Sequence, residues 1–197
     1  MAHCAQDIVH DHVSPVSGDA HVICFVEGTA IRTPGGDRPI ETLCEGDAVL
    51  TIDSGARPIR WIGKKTLRAS GKLAPVRFAK GILGNYRDLL VSPRHRVLMP
   101  DALERLVPAQ NLIDDFGVTV NYGGMVTYIH LLFDQHEMLI ANGAASESFY
   151  PENRALETIP LAAREALFSK FPTLRADLGA YGPVCRNTEG VVQTATM

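Results

Sequence analysis

The sequence predicts a mainly β domain followed by a short helical extension, and three observations carry that reading. From Ile23 to about Glu147, short apolar segments recur between glycine, proline or aspartate every eight to twelve residues, which is the rhythm of an all-β domain. Apolar and polar residues alternate within Ala48 to Asp53 and within Val118 to Tyr122, as half-buried strands require. Beyond Tyr150 the period changes, and Ile159, Ala162, Ala163, Ala166 and Leu167 fall at helical spacing between Pro160 and Pro172.

Taken in order, residues 1–22 read as a loose arm. His3, His10, His12 and His21 are interleaved there with Asp7, Asp11 and Asp19 and broken by Pro15 and Gly18. They lack a regular ligand spacing, so no metal and no cofactor is assigned. The arm also lacks the basic-then-apolar pattern of a signal peptide, and no run approaches the roughly 18 apolar residues of a membrane span. A cytoplasmic chain at synthesis is expected, with export by a signal-independent route left open. Residues 23–150 hold the strand candidates, among them GTAIRTP, GDAVLTID, RPIRWIG, DLLVSPRHRVLM and MVTYIHLLF, and TPGGD and IDSG are of the kind that reverse a strand. ALERLVPAQNLI is the exception and predicts a short helical turn ended near Pro108. Residues 151–197 form the helical extension, whose apolar face most simply packs back on the β core.

Composition narrows the function classes. The 197 residues suit one domain, with 46% apolar and 21% charged residues. A formal charge of −3 provides no bulk attraction for nucleic acid or an anionic membrane. Cys4, Cys24, Cys44 and Cys185 contain no CxxC pair, so neither zinc nor a disulfide framework is expected. Trp61 follows a strand pattern and reads as core or sheet surface.

The stretch from Cys24 to Asp53, CFVEGTAIRTPGGDRPIETLCEGDAVLTID, sets a cysteine at a strand edge before a Gly28-Thr29 turn. It resembles the opening block of Hint domains, the Hedgehog and intein family, and most closely that of bacterial intein-like members. Cys24, Gly28, Thr29, Gly36, Pro39, Glu41, Gly46 and Asp47 match in order and spacing. LLVSPRHRVL resembles the family's Thr-x-x-His block, with Ser92 for the threonine and His95 for the histidine. His136 and Gly143 resemble its third block. The resemblance implies a Hint-type all-β horseshoe over about residues 23 to 148.

It also implies autoprocessing. The Cys24 thiol would attack the Ile23 carbonyl and convert the Ile23-Cys24 peptide bond into a thioester, with the chain's own amino-terminal segment as substrate. His95 would exchange protons with the leaving amine, and Ser92 would hold the scissile peptide or stabilise its oxyanion. His136 matches a histidine that assists later chemistry. The third-block aspartate is missing, since Ile129 stands there; the adjacent His130 either replaces it or is a strand residue facing out. Glu147 and Ser148 stand where splicing needs His and Asn, and serine has no amide nitrogen to cyclise. The implied outcome is cleavage without splicing, the thioester passing to water or a small nucleophile. Cys44 reads as a buried small side chain rather than a second nucleophile. The alternatives are a Hint-fold module that does not cleave and serves a structural or interaction role, and a cysteine hydrolase acting in trans.

Overall fold

Turn chemistry organises the chain into hairpins. The computed structural model describes residues 23–99 and 104–188. Ala30–Thr33 pairs with Gly36–Pro39 around the Pro34-Gly35 reversal, and Gly36 takes a φ of 106°, a backbone conformation that costs glycine little. Ala48–Thr51 pairs with Gly55–Pro58 across IDSG. There the Thr51 hydroxyl donates to the Gly55 carbonyl at 2.9 Å and accepts the Ser54 amide at 3.1 Å, a side chain substituting for backbone in the turn.

The hairpins assemble into two antiparallel sheets. The first runs Val118–Val120, Val76–Phe78, Leu89–Val91, Phe25–Val26, Met125–Leu132 and Trp61–Arg68 in spatial order. The second runs Leu106–Pro108, Arg96–Leu98, Ala144–Glu147, Met138–Ala141, Ala30–Thr33 and Gly36–Pro39, with Ala48–Thr51 added on Met138–Ala141. Phe25, Ile31, Val49, Phe78, Ile129 and Leu139 lie in one apolar core that draws on strands of both sheets. The molecule is thus mainly antiparallel β, and its short α-helices, Asn153–Glu157, Leu161–Lys170 and Thr173–Ala176, all follow the sheets.

Three expectations need correction. Among the described residues of ALERLVPAQNLI, the helical turn lies after Pro108, not before it. Leu106–Pro108 is a strand at a sheet edge, where the missing proline N–H is tolerated, and the helical turn is the 3-10 segment Ala109–Leu112. The long helix begins after Pro160 and stops at Lys170, because Phe171, which precedes Pro172, leaves the helical region. Its Ala162 and Ala166 are exposed, and Leu167 is its buried residue, with Ala163 and Phe168 packed beside the same cluster. Small alanines gain little by burial, so the larger side chains set the docked face. Cys44, finally, is half-buried and disulfide-bonded, whereas Cys24 and Cys185 are free.

One glycine fits its place for lack of a side chain. Gly63 lies opposite His130 in the ladder, and the Trp61 ring occupies the space where a Cβ would stand. Gly63→Ala is expected to displace that indole and to cost about 1–3 kcal/mol. A urea denaturation midpoint unchanged by the substitution would contradict this.

Candidate functional site

Sheet register builds the site. Phe25 is paired with Ile129 on one side and with Val91 on the other, both antiparallel. One residue outward in each ladder, Cys24 therefore meets His130 and Ser92. Residues distant in sequence become direct neighbours because directly opposed positions in antiparallel strands share a face.

The contacts follow from that register. The Cys24 amide, which is the nitrogen of the Ile23-Cys24 peptide bond, donates to Ser92 Oγ at 2.8 Å. The Ser92 amide in turn donates to the Cys24 carbonyl at 3.0 Å. The Cys24 sulfur lies 3.1 Å from His130 Nδ1 and 3.0 Å from Nε2. His130 Nδ1 is also 2.9 Å from the Ile23 carbonyl oxygen. A single tautomer serves both partners: with the ring proton on Nδ1, His130 donates to the Ile23 carbonyl while Nε2 accepts the thiol proton.

The surroundings are dry. Ile23 and Cys24 are each 1% exposed and His130 is 4% exposed. Phe149 meets the His130 ring edge-on at 4.7 Å between centroids, and Trp61 stands 6.1 Å from it. Burial pushes the Cys24 thiol well above its usual range, a shift that the nearby Lys65 charge opposes. Burial likewise pulls His130 down to about 4, although the bond to the Ile23 carbonyl works the other way. Near neutral pH the pair is thiol and neutral imidazole. A surface cleft of about 530 Å³ lined by Val26, Glu27, Arg87 and Asn142 lies further along the same strand, and neither Cys24, Ser92 nor His130 lines it.

His95 is held by the turn that Pro93 nucleates, its amide donating to the Ser92 carbonyl at 3.0 Å. Its ring packs on Phe25 with centroids 4.4 Å apart, and Nε2 bonds Ser146 Oγ at 2.6 Å. Its Nδ1 is buried and unpaired among the described residues. Burial lowers this ring too, to about 4. His95 thus adjoins Ser92, while its hydrogen bond goes to Ser146 rather than to the scissile peptide.

His136 belongs to a second buried group. Its Nδ1 accepts the Cys185 amide at 3.1 Å, so Nε2 carries the ring proton and faces the Ser148 carbonyl at 3.2 Å and Glu147 Oε2 at 3.4 Å. Burial opposes a charge on this ring, but Cys185 and Glu147 outweigh it and raise His136 to about 9. Burial also works against the Glu147 carboxylate, yet His136 and Arg96 keep it below the ordinary range. Arg96 approaches Glu147 Oε2 at 3.2 Å and donates its amide to Oε1 at 2.8 Å. Ser148 Oγ accepts the Glu137 amide at 2.9 Å.

These shifts give stability a defined pH dependence. Unfolded His95 and His130 take up a proton near pH 6.5, whereas the folded rings resist it until about 4. Their contribution is complete above pH 6.5 and is lost as pH falls towards 4. His136 has the opposite sign: its contribution is complete below pH 6.5 and is lost as pH rises towards 9. Urea midpoints measured across this range are expected to peak near neutrality. A flat profile from pH 6.5 to 4 would contradict the burial of the two neutral rings.

Of the residues singled out in the sequence, Cys24, Ile23, Ser92 and His130 come together, His95 adjoins them, and His136 forms the separate group with Glu147. Sequence reasoning missed Lys65, Ser146 and the part played by Trp61. The period-two spacing of Trp61, Gly63 and Lys65 set them on one strand face, but only pairing with Met125–Leu132 reveals which face meets His130. Among the described residues no group of three or more His, Cys, Asp and Glu side chains is disposed to hold a metal ion, and no helix is long and apolar enough to cross a membrane. The histidine-rich arm lies outside the described residues.

Fold and site together define an all-β domain whose thiol, hydroxyl and imidazole face its own backbone at one peptide bond. Residues 23–153 match the profile of the family described as "Hint domain". The chain belongs to that family. Among solved structures it is similar to a bacterial intein-like domain from Clostridium thermocellum, with 15% identity, a TM-score of 0.50, and 65% of this chain and 99% of that one covered. It is also similar to an AceL NrdHF class 3 split intein variant, at 17% identity and TM-score 0.47 over 64% of this chain and 96% of that one. The gp41-1 intein aligns at 12% identity and TM-score 0.45 over 62% and 96%. No curated protein matches the chain in sequence.

Proposed function

We propose that the domain cleaves its own Ile23-Cys24 peptide bond, without splicing. The observation that carries this is the His130 ring, with nitrogens 3.0 and 3.1 Å from the Cys24 sulfur and Nδ1 2.9 Å from the Ile23 carbonyl oxygen. One imidazole thus touches both the nucleophile and the group to be attacked.

In this reading the thiol proton passes to His130 Nε2 as the sulfur bonds to the Ile23 carbonyl carbon. Negative charge develops on the Ile23 oxygen, where the His130 Nδ1–H stabilises it. The carbon–nitrogen bond then breaks, and the Cys24 nitrogen leaves with the proton that His130 took up, held meanwhile by Ser92 Oγ. Nothing is lost or gained in this acyl shift. Water, or a small nucleophile, then adds to the thioester carbonyl; the sulfur departs and regains a proton, and with water Ile23 ends as a free carboxylate. A thioester is less stable than an amide, so this second step drives the first. Ser148 has no side-chain amide to cyclise, and Glu147 is engaged by Arg96 and His136, which supports cleavage without splicing.

Intact mass of the purified protein, alone and after exposure to dithiothreitol, tests the reading. A fragment beginning at Cys24 is expected, with its yield raised by the thiol. Persistently full-length protein in both conditions overturns the reading and favours the non-cleaving module.

A further inference from the structure

The acyl half of the scissile bond shares an apolar cluster with a part of the chain outside the sheets. Ile23, Trp61 and Leu132 share one apolar cluster with Leu156, Leu167 and Leu174 of the extension. Two bonds fasten the extension beside the site: the Trp61 indole N–H donates to the Ala163 carbonyl at 3.2 Å, and Lys65 Nζ donates to the Thr158 carbonyl at 3.0 Å. Trp61 also flanks His130, and Lys65 is the cation that acts on Cys24. The extension therefore meets the reacting groups through two anchored side chains, and it shares an apolar cluster with Ile23.

We propose that the extension, residues 153–181, completes an apolar pocket that seats the Ile23 side chain, selecting the acyl residue and holding its carbonyl in place. Its catalytic consequence rests on the autoprocessing reading; the pocket itself does not. Three features of the arrangement argue for it. Ile23 is almost wholly inaccessible although it lies outside any strand. The cluster it joins is apolar and mostly of large side chains, so a charged or small residue would leave the pocket unfilled or desolvate a charge. Seating the side chain also fixes the carbonyl that follows it, and misplacing that carbonyl by about 1 Å can cost up to about a hundredfold in rate. The expected substrate class is a branched apolar acyl residue. Release of Ile23 after cleavage would empty the pocket and loosen the extension.

The test uses the full chain in two readouts. In a Cys24→Ala background, which retains the peptide bond, hydrogen exchange of amides 153–181 is measured with and without Ile23→Ala, and again with Leu167→Ala. With Cys24 present, thiol-induced cleavage is followed by intact mass for Ile23→Val, Ile23→Ala and Leu167→Ala. Ile23→Ala is expected to speed exchange in the extension about tenfold or more and to slow cleavage about tenfold, with Ile23→Val close to wild type. Combining Ile23→Ala with Leu167→Ala should add little to either single change, since both empty one pocket. Exchange in the extension indifferent to residue 23, or fully additive effects, would overturn the pocket. Coupled exchange in a protein that never cleaves would support the pocket and overturn the autoprocessing reading alone.

Discussion

Cys24→Ala is expected to leave the chain full length under every condition in which the wild type yields a fragment beginning at Cys24. Among the described residues no other thiol is in position to replace it. Cys44 is disulfide-bonded, and the Cys185 backbone amide bonds His136 in the separate buried group. The fold should survive the change. Alanine keeps the amide that Ser92 Oγ accepts, and losing one buried sulfur costs about 1 kcal/mol. The variant therefore separates chemistry from stability: urea midpoints within about 1 kcal/mol of wild type, with cleavage abolished. Cleavage at the same bond in Cys24→Ala would refute the thiol mechanism outright.

Substituting His130 has the second largest expected effect. His130→Ala is expected to slow fragment formation by about 10²–10⁴-fold, the usual worth of a positioned acid–base group. Here the ring both accepts the thiol proton and polarises the carbonyl, so the upper part of that range applies. His95→Ala is expected to retain more activity, because that ring bonds Ser146 and not the scissile peptide. Because the folded His130 ring titrates near 4, cleavage rate should be independent of this ring's protonation above about pH 5 and fall as pH drops through 4. Equal losses for the two histidines, measured as initial rates by intact mass, would show that His95 shares the chemistry.

Much of the fold could be read from residue patterns because its signals are local. Proline and glycine mark the reversals at 33–36 and 52–55, and alternation marks Ala48–Thr51 and Val118–Val120. The misjudged pieces were those where context outweighs local pattern. Pro108 is compatible with a strand only at a sheet edge, and edge position is a property of the whole sheet. Ala162 and Ala166 fit an apolar stripe, but Leu167 and Phe168 have more surface to bury and turned the helix accordingly.

At the site the division is sharper. The chain's own residue order was enough to mark Cys24, Ser92 and His95 as members of a Hint domain, and to show that Ser148 has no amide nitrogen for splicing. It left His130 evenly between a replacement for the missing aspartate and an outward-facing strand residue. Tertiary structure decided that its side chain faces inward, through a register in which Phe25 opposes Ile129 and Cys24 therefore opposes His130. A one-residue slip would turn every side chain of Met125–Leu132 to the other face, and no local signal reports register. Only folding, too, brought Ile23 together with Leu156 and Leu167, because burial of apolar surface is blind to sequence distance and joins whatever surfaces the sheets leave uncovered.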